Sequence, residues 1–181
     1  MKRVALVVSL AIMAVPAVAS AQIGFGVAAG AAFPMGDFGK SWSSGYHVQA
    51  SVNISPPVLP IGFRIDGTLD TFAVKPSTNV TNVTGSTRIA GVGGNVLLGL
   101  GGVPLLGPYV LAGVGFYNIN ASATAGSFSA SGSTNKPGMN VGAGFRFGLG
   151  SMGAFAEARY HYINTDGGST QFVPVMFGVS F

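Results

Sequence analysis

From residue 22 onward, apolar residues alternate with polar or very small ones in short runs, so that two distinct faces emerge wherever the chain is read as a strand. The last run shows this best. Val173, Val175, Phe177, Val179 and Phe181 share one face, while Pro174, Met176, Gly178 and Ser180 share the other. No later element follows to cover that apolar face, which therefore calls for lipid or a partner, and lipid is the reading adopted. The same period predicts strands over 23–32, 45–54, 61–73, 87–98, 108–118, 139–149, 154–163 and 172–181. The run 139–149 as a helix would carry interior glycines at roughly 1 kcal/mol each and would mix its two faces. No helix-period segment is found beyond residue 21, and no apolar run reaches the ~18 residues of a membrane helix.

Strands of this length cross a bilayer when tilted. The connections after the second, fourth and sixth are short, and those after the first, third, fifth and seventh are mostly longer, with 120–136 read as a polar loop. That alternation is expected of periplasmic turns and extracellular loops. The fold class predicted is all-β: an eight-stranded antiparallel up-and-down transmembrane β-barrel.

Composition agrees. Of 181 residues only 8% are charged, 48% are apolar, 29 are glycine and none is cysteine. This fits neither an ordinary soluble domain nor a charge-rich disordered one. The N-terminus reads as a helical signal peptide over 1–21, with Lys2-Arg3, an apolar run from Val4 to Val15, and Ala19-Ser20-Ala21 for cleavage. Residues 22–181 are then the barrel domain. The basic residues left are scattered singly, so the high pI does not point to nucleic acid.

Period alone does not say which face meets lipid, because a soluble eight-stranded barrel shows the same alternation with its apolar side inward. The charges decide. Asp37, Lys40, Lys75, Arg88, Lys136 and Asp166 lie in or beside the long loops, and Arg64, Asp66, Asp70, Arg146, Glu157 and Arg159 lie in strands. Every strand charge sits opposite the apolar face, and three are positive and three negative, as a narrow closed interior requires. With His47 and His161 these form a predicted interior polar network that plugs the lumen. The inward face otherwise reads as glycine-rich rather than aromatic. Outward aromatics gather in two girdles, Phe25, Phe63, Phe147 and Phe181 at one end and Tyr46, Phe116, Tyr160 and Tyr162 at the other. A two-residue turn at Ser151-Met152 would set Arg146 opposite Glu157, Gly144 opposite Arg159 and Gly142 opposite His161.

The export signal, the stretch from Gly24 to Gly36 with Pro34-Met35-Gly36-Asp37-Phe38, the run from Pro108-Tyr109 to Gly113-Val114-Gly115, and the terminal Val175, Phe177, Val179 and Phe181 together give the chain a resemblance. It resembles the small eight-stranded outer-membrane barrels of the outer membrane protein A and X and opacity-protein type. The resemblance implies residence in the bacterial outer membrane and insertion by the outer-membrane assembly machinery, with Phe177, Val179 and Phe181 as the assembly signal. It implies no substrate.

Candidate chemistry is sparse. His47 and His161 could be a metal or catalytic pair, but no second carboxylate stands reliably beside them, so a hydrogen-bonded plug is the better reading. Ser169, His161 and Asp166 are close in sequence, yet a lumenal His does not reach an acyl chain, which weighs against a lipid-modifying enzyme. Gly91-Val92-Gly93-Gly94 and Gly142-Ala143-Gly144 lie within strands and read as room for interior side chains, not phosphate loops. Asn164 to Gly168 reads as a turn with too few carboxylates for calcium. Lys40, Lys75 and Lys136 fall one to a loop and are candidates for contact with outer-leaflet lipid phosphates, or simply aid solubility. The expectation is a monomeric structural or surface-interaction barrel without cofactor, meeting an extracellular ligand through its loops. The alternative is a narrow porin-like channel for small solutes.

Overall fold

The computed structural model describes residues 22–56, 61–75, 83–101, 106–125, 128–149 and 152–181. The predicted signal peptide lies outside them. Eight strands, β1 (Gln22–Met35), β2 (Gly45–Ser55), β3 (Ile61–Ala73), β4 (Val83–Gly99), β5 (Leu106–Ala125), β6 (Phe128–Leu149), β7 (Met152–Thr165) and β8 (Gly168–Ser180), follow one another around a closed barrel. All neighbours are antiparallel, and β1 pairs with β8 from Gly26↔Ser180 to Met35↔Gln171 to close the ring. Closure leaves no free sheet edge in the membrane, and the β7–β8 ladder is interrupted only opposite Val173-Pro174, where Pro174 has no N–H to donate.

Burial is inverted relative to a soluble protein. On β3, Phe63, Ile65 and Leu69 are exposed while Arg64, Asp66 and Asp70 are buried, with Ile65 55% and Asp70 0% accessible. The outer surface is thus a continuous apolar band, stable only against hydrocarbon. Phe25, Phe63, Phe147 and Phe181 are exposed on it near the end where the chain enters and leaves, here the terminal end, and Tyr46 and Phe116 near the opposite, distal end.

Several expectations about lengths and registers are corrected. A short helix, α1 (Gly36–Ser41), occupies part of the first long connection, too brief for a helical period to show in the sequence. Within the expected loop 120–136, residues 120–125 and 128–136 are strand. β5 and β6 pair from Leu106↔Phe147 to Ala125↔Phe128, and β4 accompanies them to Val83↔Ala125. Its Ser, Thr and Asn residues alternate as regularly as the apolar ones below, because a strand outside the membrane needs no greasy face. The connection after β7 is also brief, since Thr165 pairs with Gly168 across Asp166-Gly167, where Gly167 takes φ +82°.

The β6–β7 register differs from the predicted one by two residues. Leu149 pairs with Met152, so Arg146 faces Phe155, Gly144 faces Glu157 and Gly142 faces Arg159, while His161 faces Asn140. A shift of two preserves which face each residue occupies, and the inside-outside pattern survives. The Arg146 to Glu157 pair that the predicted register would have produced is therefore not formed.

Inward-facing aromatics are the other correction. Phe72, Tyr109, Tyr117, Phe155 and Phe172 are all buried inside. The interior glycines make room for them: a Cβ on Gly91 or Gly138 would lie 2.7 or 2.8 Å from the Tyr117 ring, one on Gly144 2.7 Å from the Tyr109 ring, and one on Gly178 would collide with that of Phe155. Small strand residues and large rings are complementary parts of one packed interior.

Replacing outward Ala158, at mid-height on β7, by Arg is expected to lower unfolding free energy in lipid vesicles by about 2–4 kcal/mol. The same change at outward Ser122, on the part of β5 that stands clear of the membrane, is expected to cost less than ~0.5 kcal/mol. Equal costs would contradict a membrane boundary between Phe116 and Asn118, where the outward face of β5 turns from apolar to polar.

Candidate functional site

The predicted polar residues converge in the lumen, but through contacts that cross it. β3 and β7 stand four strands apart in either direction around the ring, so they face each other across the full diameter. β3 presents Arg64 and Asp66 inward on either side of lipid-facing Ile65, and β7 presents Glu157 and Arg159 on either side of Ala158. Both strands run the same way, so the four charges meet in two levels. Arg64 Nη1 donates to Glu157 Oε2 at 2.7 Å, and Arg159 Nη1 donates to Asp66 Oδ2 at 2.7 Å. Arg159 also binds Glu157 Oε1 through Nε at 3.0 Å and Nη2 at 2.5 Å, joining the levels.

Neutral groups complete the cluster. Tyr109 donates its hydroxyl to Glu157 Oε2 at 2.6 Å, Asn95 donates to Asp66 Oδ2 at 2.9 Å, and Arg64 Nε donates to Asn53 Oδ1 at 2.8 Å. Glu157 thus accepts from three side chains in a site without water access, which is the condition under which buried ions are retained. Tyr109 and Asn95 were not among the predicted network residues. Their inward parity on β5 and β4 was the available signal.

Toward the distal end the lumen becomes apolar. Ala32, Phe72, Ile89, Tyr117, Ile163 and Phe172 form one buried cluster, and Phe38 and Trp42 from α1 and its C-terminal flank pack onto it. Phe38 meets Phe72 edge-on at 5.1 Å, Phe72 meets Phe172 at 5.5 Å, and Phe172 stacks on His161 at 4.8 Å. Those edge and offset contacts are the favoured ones for aromatic rings. The first connection is therefore folded into the mouth, with its aromatic side chains as a stopper.

Both histidines sit between stopper and ion cluster. His47 Nδ1 lies 2.7 Å from Asp70 Oδ1, and His161 Nδ1 lies 3.1 Å from the Tyr117 hydroxyl. Their Nε2 atoms, together with Asp70 Oδ2, Thr87 Oγ1 and Asn140 Oδ1, are buried without a protein partner, a setting that ordered water satisfies. The Ser169, His161 and Asp166 set does not assemble. Ser169 accepts from Gln171 on the outer side, and Asp166 is exposed and paired with Lys136 at 2.6 Å.

The three lysines all have partners within the chain. Lys40 reaches Asp37 at 2.7 Å, Lys75 donates to the Gly39 carbonyl, and Lys136 reaches Asp166. Lys136 belongs to β6 rather than to a loop. Lys75 ties the β3–β4 connection to α1, and contact with lipid phosphate would compete with these bonds. Arg146 stands apart from the ion cluster, exposed to the terminal mouth, with its guanidinium 4.8 Å above the Tyr109 ring. Phe177, Val179 and Phe181 face outward at the seam, where Phe181 exchanges backbone hydrogen bonds with Phe25 and packs 6.5 Å from its ring.

The model of the outer membrane protein beta-barrel domain matches residues 4–181. The chain belongs to that family. It is accordingly a protein of the bacterial outer membrane. Comparison with curated protein sequences gives no match. Among solved structures, Neisserial surface protein A is similar at 16% identity and TM-score 0.63, over 88% of this chain and 97% of that one. A major outer membrane protein from Thermus thermophilus is similar at 15% identity and TM-score 0.62, over 88% and 99%. Ail, the attachment invasion locus protein of Yersinia pestis, solved with the heparin analogue sucrose octasulfate, is similar at 17% identity and TM-score 0.53, over 89% and 97%. At such identities these likenesses concern the fold.

Glu157→Gln would leave Arg64 and Arg159 without their shared carboxylate. The expected loss is about 3–5 kcal/mol of unfolding free energy, read by guanidinium titration in detergent micelles. A loss under ~1 kcal/mol would mean that the two levels do not brace the barrel.

Proposed function

We propose that this outer membrane barrel is a closed structural and surface-interaction protein rather than a pore. The observation carrying this is the double obstruction of the lumen: the Arg64, Asp66, Glu157 and Arg159 cluster across the middle, and the Phe38, Phe72 and Phe172 stack at the distal end. An eight-stranded ring is only just wide enough for its own side chains. The interior glycines that favoured the channel alternative adjoin the rings of Tyr109, Tyr117 and Phe155, so the space they vacate is occupied.

The interacting surface in this reading is the sheet that rises above the barrel. Beyond Ala90, Phe116 and Pro137 the outward face changes from apolar to mainly hydroxyl and amide groups, with Ser86, Asn118, Asn120, Ser122 and Ser133 among them and Arg88 beside them. Arg88 is the one cation of that face among the described residues, so a neutral, hydrogen-bonding ligand suits it better than a polysulfated one of the kind bound to Ail. Outer-membrane lipid surrounds the band below. Insertion through the assembly machinery by way of Phe177, Val179 and Phe181 belongs to the same proposal, as does the monomeric state.

Purified protein in planar lipid bilayers is expected to show no discrete conductance steps. Reproducible openings that survive repurification would favour the channel and overturn this reading.

A further inference from the structure

The balanced count of interior charges conceals an uneven distribution. Asp66 is taken by Arg159 and Asn95, Glu157 by Arg64, Arg159 and Tyr109, and Asp70 lies toward the far end with His47. No side-chain carboxylate among the described residues is left for Arg146; the main-chain end of Phe181 also lies in this mouth, its oxygen accepting from the Phe25 N–H. Among the described residues it makes no ion pair, and only the face of Tyr109 supports it.

Arg146 opens onto a cavity of about 300 Å³ at the terminal end, with Arg64, Asn53, Ser55 and Ser180 also in its wall. That volume is at the lower end of the range for ligand clefts. The polar side chains here are largely donors. Arg64 uses Nε on Asn53 and Nη1 on Glu157, which leaves its other terminal nitrogen without a carboxylate partner. Asn53 has its carbonyl oxygen occupied by Arg64 and so offers its amide nitrogen. Arg64 is itself 2% exposed, with the rings of Phe155 and Tyr109 5.5 and 5.9 Å from its guanidinium, so the floor of the cavity is of low polarity. Two guanidinium groups on one small cavity repel each other until an anion joins them.

We propose that this mouth binds a phosphate-class oxyanion, with Arg146 and Arg64 donating to its oxygens and Asn53, Ser55 and Ser180 completing the set. Planar guanidinium forks match phosphate oxygens, and the buried floor strengthens each bond beyond its value in water. The cavity ends at the Arg64 to Glu157 level, so the site retains an anion rather than conducting it. That part rests on the closed lumen proposed above, but binding is measured independently of conductance. Two sources fit the chemistry: free phosphate, or the headgroup phosphate of a lipid in the leaflet around this end.

The test follows the Arg146 side-chain Nε–H resonance and the Phe155 amide by NMR, in uncharged maltoside micelles titrated with inorganic phosphate, chloride being adjusted to hold ionic strength constant. A second titration uses a phosphatidylglycerol of short chain length in the same micelles. Saturable shifts with phosphate indicate a free-anion site, and saturation with the lipid alone indicates the headgroup. Arg146→Gln is expected to weaken binding at least tenfold, Arg146→Lys less so, with the unfolding midpoint in anion-free buffer nearly that of the parent. The proposal is overturned if neither compound saturates, if chloride alone gives the same shifts, or if Arg146→Gln leaves the affinity unchanged.

Discussion

Everything inside this barrel depends on a constraint of its membrane setting: a charge in the spanning region has no water to return to, so it must be met by an opposite charge within the lumen. The two diametric contacts, Arg64 to Glu157 and Asp66 to Arg159, satisfy it. Each joins strands that share no backbone hydrogen bond, so the cluster holds the ring at a set diameter where the ladders alone fix only neighbours. Such pairs give little net stability over an apolar core, but breaking one is costly, and the brace is therefore stiff.

Packing obeys the same geometry. Tyr109, Tyr117 and Phe155 lie over the neighbouring strands because Gly144, Gly138, Gly91 and Gly178 there have no side chain to stop them. The consequence is a graded interior, with an aromatic stopper at the distal end, buried histidines and amides beneath it, the ionic cluster in the middle and a donor-lined hollow at the terminal mouth. In the proposed reading, closure at one end and accessibility at the other divide the protein's contacts: those with large partners fall to the projecting sheet, and a small anion enters from the opposite side.

The legible parts of this arrangement were those that depend on strand parity. Inward placement of Arg64, Asp66, Asp70, Arg146, Glu157, Arg159, His47 and His161 follows from alternation alone, whatever the register. The cross-brace was also written in the chain, as Arg64-Ile65-Asp66 and the complementary Glu157-Ala158-Arg159 on strands four apart. Pairing between adjacent strands does not reveal it, because its partners stand across the ring. Polar strands outside the membrane carry no distinguishing signal, because Ser, Thr and Asn are as common in turns as on a solvated sheet. Six residues of helix fall below any periodic signal.

By itself the sequence determined the class of fold, the strand count, the face that meets lipid and the neutral sum of the interior charges, since all of these are fixed by alternation and composition. Which ions pair, where the ladder of β6 and β7 aligns, how Phe38 and Trp42 close the mouth, and why Arg146 is left over were decided only by tertiary structure. Those facts depend on height and angle around a closed ring. A linear order of residues carries neither until the ladders have set both.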